Sequence, residues 1–106
     1  MNQVCLIGNL TKDVELRYTP QETAVVNLSV AVNRNKDEVS FFDAVAFGKT
    51  AEICSQYLSK GSKVGISGRL QQDRWEKDGE KRSKVRIIIN RIDFLDPKEY
   101  ETATTS

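Results

Sequence analysis

A chain of 106 residues, 39% hydrophobic and 29% charged, is enough for one compact domain and too short for two independent cores. No apolar run approaches the roughly 20 residues that cross a bilayer, and residues 1–10 lack the Lys or Arg of a secretory leader, so the expected location is the cytoplasm. With a net charge of +1, no histidine and only Cys5 and Cys54, the chain lacks the commonest metal ligand and general base, and no cofactor, metal or catalytic activity is expected.

Val4, Leu6, Gly8 and Leu10 alternate with Gln3, Cys5, Ile7 and Asn9, which predicts a strand apolar on both faces. A single small sheet covers only one of those faces, so Cys5 and Ile7 call for a second subunit. Residues 11–23 mix charges with Tyr18 and Pro20 without a period, as a loop or irregular ribbon does. Val26, Leu28, Val30 and Val32 alternate with polar or small residues and predict a second strand with one core face. After a charged turn at 34–38, a third strand is expected from Val39 to Phe47.

The period then changes. Ala51, Ile53, Cys54, Tyr57 and Leu58 recur at helical spacing between Lys49 and Lys60, with Gly61 placed as a C-cap. Val64, Ile66, Gly68 and Leu70 resume the strand period and run toward Trp75, and Lys77-Asp78-Gly79-Glu80 reads as a hairpin turn. Gly65 and Gly68 precede no helix, so they relieve crowding in a curved strand rather than cradle a phosphate. Val85, Ile87 and Ile89 begin a fifth strand that Ile92 and Phe94 continue one register later, which predicts a bulge near Asn90 or Arg91. Three strands, one helix and two strands fit an all-β, five-stranded OB-fold barrel with a short helix between strands three and four. The domain is expected over 1–96, followed by a short disordered tail over 97–106.

The aromatic residues carry the functional signal. Phe41, Asp43, Val45 and Phe47 fall on one face of the third strand, while Phe42 shares the other with Ala44 and Ala46 and is expected in the core. Trp75 lies among Asp73, Arg74, Glu76 and Lys77 and shares a face with Lys63, Ser67, Arg69 and Gln71, so its indole is expected to be exposed. Flat rings beside cations suit unpaired nucleic acid, whose bases stack while Lys and Arg neutralise phosphates. Lys49, Lys60, Arg74 and Arg82 are the candidate cations. Residues 1–92 carry a net +4 and the last fourteen a net −3, so the body is mildly basic.

Five strings carry a resemblance to a known family: MNQVCLIGNLTKDVELRYTP at the start, AVNR at 31–34, SFFDAVAFGKTAE at 40–52, YLSKGSKVGISGRL at 57–70, and the Trp75 hairpin. Together they resemble the bacterial single-stranded DNA-binding proteins across residues 1 to about 95. The resemblance implies an OB-fold, a homotetramer and sequence-tolerant coating of single-stranded DNA in replication, recombination or repair. By position it implies base stacking by Phe41, Phe47 and Trp75 and phosphate contacts by Lys49, Lys60 and Arg74; Arg34 and Arg82 complete the residues expected to contact DNA. Lys36 stands where many members place another stacking aromatic, and Asp43 and Asp73 bring negative charge to positions often neutral or basic. The acidic Pro-Phe ending through which members recruit enzymes is not matched by Glu-Thr-Ala-Thr-Thr-Ser, so no such recruitment is expected of this chain. An OB-fold scaffold without DNA binding, the alternative, predicts loss of the stacking aromatics, which are all present.

Overall fold

The period-2 segments are strands in the computed structural model, which describes residues 1–95. In chain order they are β1 (Val4–Leu10), β2 (Leu16–Tyr18), β3 (Ala24–Asn33) and β4 (Val39–Phe47), then helix α1 (Gly48–Tyr57), then β5 (Lys63–Lys77) and β6 (Glu80–Phe94). The tail expected at 97–106 lies outside the described residues.

Hydrogen-bonded neighbours run β1-β5-β6-β4-β3, and β1 returns to β3 through Asn9 opposite Ala31 and Leu10 opposite Val30. Five strands therefore close a ring. Within it β4 and β6 meet in parallel, while the other pairings are antiparallel. The segment 11–23, expected as a loop or ribbon, contains β2, whose three residues pair Leu16, Arg17 and Tyr18 with Val26, Val25 and Ala24 outside the ring.

Alternate side chains of the ring strands point inward and form the core: Leu10, Val26, Leu28, Val30, Ala44, Ala46, Val64, Ile66, Ile87 and Ile89. The small Ala44 and Ala46 leave room for their branched neighbours. α1 adds Ala51 and Cys54 to this core. It has no side-chain N-cap bond, no acid in its first turn and no base in its last, so tertiary packing, not capping, holds it. Tyr57 closes its far end against Phe94, ring centroids 5.9 Å apart. The helix stops at Tyr57 with Leu58 as C-cap, so the expected cap at Gly61 is displaced. Gly61 instead takes φ +93 in the following turn and donates its N–H to the Leu10 carbonyl.

Burial pushes the Cys54 thiol up to about 11, against a smaller lowering by a backbone hydrogen bond. At pH 7–8 it is a protonated, shielded thiol. A thiol reagent is therefore expected to leave Cys54 unmodified in the native protein and to label it only on unfolding. Rapid native labelling of Cys54 would show that α1 opens readily.

Asp78 and Gly79 both have positive φ, 53° and 80°, so the β5–β6 hairpin turns on a two-residue primed turn with Lys77 opposite Glu80. That register runs unbroken back to Gly68 opposite Ile89, then slips, because Ser67 pairs with Arg91. Asn90 is the extra residue, a bulge at the expected place. The strands approach so closely there that a Cβ on Gly68 would overlap the Ile88 carbonyl.

Phe42 departs from expectation. It shares the inward face with Ala44 and Ala46, but it is 40% exposed, because the ring's cover ends at Ala44. On the same face lie Leu70 and Val85, also exposed. Beyond them β5 and β6 project as a two-stranded arm open on both sides.

Candidate nucleic-acid interface

The outward face of β3, β4, β6 and β5 is one continuous surface whose rows follow from the pairing register. Val45 pairs with Asn27 on one side and Ile88 on the other, and Ile88 pairs with Arg69. Val45 and Ile88 are buried and form an apolar floor. Around it, Phe41 and Phe47 rise from β4 six residues apart, roughly 20 Å along a strand. Trp75 stands on β5, two strands across, paired with Arg82 of β6. Phe41, Phe47 and Trp75 are 67%, 42% and 46% exposed, so each is accessible to a ligand from solvent. The face extends past Phe47 through Val25 to Arg17 on β2.

Cations alternate along the same face of β6. Arg82, Lys84 and Arg86 follow one another at every second residue and stand opposite Trp75, Asp73 and Gln71. Each meets a carboxylate. Lys84 Nζ lies 3.0 Å from Asp43 Oδ2, and Arg82 Nη2 lies 3.2 Å from Glu80 Oε2. Arg86 Nε lies 2.7 Å from Asp73 Oδ2, although its N–H is not aimed along a hydrogen bond, and Gln71 Nε2 donates to Asp73 Oδ1 at 3.1 Å. The side chains of Lys84 and Asp43 are more than half exposed, so their ion pair contributes only about 0–1 kcal/mol and breaks easily.

The candidates from the sequence separate into groups. Phe41, Phe47, Trp75 and Arg82 come together on this face. Arg74 is on the opposite face of the arm, where its guanidinium donates to Gln72, because adjacent strand residues point to opposite sides. Arg34 sits in the β3–β4 turn, paired with Glu38 at 3.3 Å. Lys49 follows Gly48 at the start of α1, and Lys60 lies in the α1–β5 turn, its backbone N–H donated to Asp13. Sequence reasoning passed over Lys84 and Arg86 and did not count Arg69 or Arg17 among the cations. Counting back from the Asp78-Gly79 turn identifies three of them, since a two-residue loop fixes Trp75 opposite Arg82 and, in steps of two, Lys84, Arg86 and the Ile88–Arg69 pair.

Among the described residues no three His, Cys, Asp or Glu side chains are grouped to hold a metal ion. Open rings interleaved with cations can receive a chain of flat, negatively linked units.

Residues 1–95 match the single-strand binding protein family. The chain is 44% identical to the single-stranded DNA-binding protein of Treponema pallidum, with 90% of this chain aligned to 58% of that protein. It is 46% identical to the single-stranded DNA-binding protein of Wolinella succinogenes over 92% of this chain and 65% of the relative, and 42% identical to that of Aquifex aeolicus over 95% and 75%. It thus spans 58% to 65% of the length of the first two relatives. With all described residues inside the family match, the chain belongs to the single-strand binding protein family.

Proposed function

We propose that this chain is a non-enzymatic OB-fold module that binds single-stranded DNA without sequence preference, in replication, recombination or repair. One observation carries the reading: Phe41, Phe47 and Trp75, each exposed, share one outward sheet face with a row of cations. Bases stack on the three rings, and Arg17, Arg69, Arg82, Lys84 and Arg86 meet the phosphates. Lys49, Lys60, Arg34 and Arg74 lie off the face and guide the strand as it enters and leaves.

A duplex hides its base faces, so stacking selects unpaired strands. Titration with an unstructured oligothymidine is expected to quench Trp75 fluorescence strongly, and a hairpin duplex of equal length to quench it far less. Equal affinity for the two would remove the stacking mechanism.

The ring is an OB-fold barrel in this reading, and the assembly a homotetramer. Two separate apolar patches support that assembly. Ile7, 57% exposed, and Cys5 border a depression with Gly65 and Leu95, and Phe42, Leu70 and Val85 form the second patch. Two self-complementary patches per subunit are what a tetramer with three two-fold axes uses. Ile7→Glu is therefore expected to lower the mass seen by light scattering at micromolar concentration. A parent protein that is already monomeric there would rule the assembly out.

A further inference from the structure

The three cations that β6 gives the stacking face are each paired with a carboxylate. Asp43 rises from β4 between Phe41 and Phe47 and holds Lys84, while Asp73, two residues before Trp75 on the same face of β5, holds Arg86. Asp43 stands in the interval between Phe41 and Phe47, and Asp73 next to Trp75 at the edge of the interval between β5 and β4. A backbone linking bases stacked on these three rings has to cross these intervals, where its phosphates meet cations already neutralised and a carboxylate beside each.

We propose that Asp43 and Asp73 are built-in competitors of the DNA phosphates, each holding one cation of the face in an ion pair that the bound strand has to displace; this rests on the single-stranded DNA reading above. The opposite role, positioning Lys84 and Arg86 for the phosphates, has the opposite sign. The geometry favours competition. Pairing in the sheet already fixes where Lys84 and Arg86 project, through Asp73 opposite Lys84 and Gln71 opposite Arg86. Lys84 and Asp43 are also more than half exposed, so their contact exchanges readily with water or phosphate.

Two consequences follow for binding. A cation that is already paired neutralises no additional phosphate and releases few counterions, so affinity falls only shallowly as salt rises. A carboxylate left beside a bound phosphate also repels it. Such a face binds mainly by stacking and lets go of the strand readily, which suits a protein that has to be displaced.

The test uses the full chain with an oligothymidine, read by Trp75 fluorescence across a salt series, for the parent, Asp43→Asn, Asp73→Asn and the double variant. Asparagine keeps the shape and removes the charge. Each substitution is expected to tighten binding at low salt by about fivefold, the effect of one unit charge roughly 4 Å away in water. Each is also expected to steepen the slope of log K against log salt by about 0.7, the value for one phosphate neutralised on a single strand. Glu52→Gln, which removes the same charge from α1, controls for net charge and is expected to do neither. Lys84→Gln in the Asp43→Asn background is expected to cancel that variant's gain. Parent-like or weaker binding by both aspartate variants, with the parent binding normally, would overturn the competition and leave the single-stranded DNA reading standing. Absence of quenching in the parent and every variant would overturn both.

Discussion

The double variant Phe47→Ala/Trp75→Ala is expected to lose on the order of 2–6 kcal/mol of binding free energy for an oligothymidine, with an unchanged melting temperature. Base–aromatic stacking is worth about 1–3 kcal/mol per base by alanine substitution, which is fivefold to over a hundredfold in affinity for each ring. The two residues stand on different strands without a shared partner, so their losses add to within about 0.5 kcal/mol. Stability is spared for a structural reason. Trp75 sits on the arm, where both faces of the hairpin are open, and Phe47 ends β4 on the outward face, away from the core of Val26, Ala46 and Ile87. Isothermal binding and thermal melts on the same preparations separate the two effects. A melting temperature many degrees lower with affinity intact would return these rings to a packing role.

Gly68→Ala is expected to act in the opposite way, unfolding the protein more readily without touching the stacking face. A Cβ at this position would overlap the Ile88 carbonyl oxygen and come within 2.9 Å of its carbon and 3.1 Å of the Ile89 Cα, all backbone atoms of the paired strand. Side chains can turn away, whereas a ladder strand moves only by breaking its register. The cost is therefore at the upper end for overpacking, about 3 kcal/mol, and the melting temperature falls by more than about 10 °C. Gly65→Ala is the comparison, since its nearest neighbour at 3.2 Å is the far end of the Leu95 side chain and not backbone. Equal melting temperatures for the two variants would mean that β5 and β6 are not pinned at the Asn90 bulge.

Much of this arrangement is legible in residue order because it depends on local period. Val26 to Val32 and Val64 to Leu70 alternate at the strand period, Ala51, Cys54 and Leu58 at the helical one, and Asp78-Gly79 supplies two positive φ values in succession. The slip from Ile89 to Ile92 marks the bulge. What escapes is what depends on partners distant in sequence. β2 is three residues long, too short for alternation to show, and exists because β3 offers it an edge. Alternation puts Phe42 on the inward face correctly, but whether a ring still covers that level is settled by where β5 and β6 leave the sheet. The same holds for Asp43. Its partner Lys84 lies 41 positions away and meets it through the parallel contact of β4 with β6, which no local pattern announces.

Arg74 shows the limit from the other side. Its place next to Trp75 in the chain suggests cooperation, yet a strand sends neighbours to opposite faces, and the cation facing Trp75 is Arg82, seven residues on. The charge pattern of the face therefore comes from β6 far more than from the residues flanking each aromatic.

In the proposed binding mode, unpaired bases stack on the outward face of β4 and β5. Photocrosslinking of a halogenated oligothymidine to the full chain, followed by mass spectrometry of the peptides, tests it most directly, because cross-links form where a base lies against a ring. Adducts are expected on Phe41, Phe47 and Trp75, and are expected to disappear when unlabelled oligothymidine is added in excess. Adducts confined to α1 or to the Gln72, Arg74 and Ser83 side of the arm would contradict it.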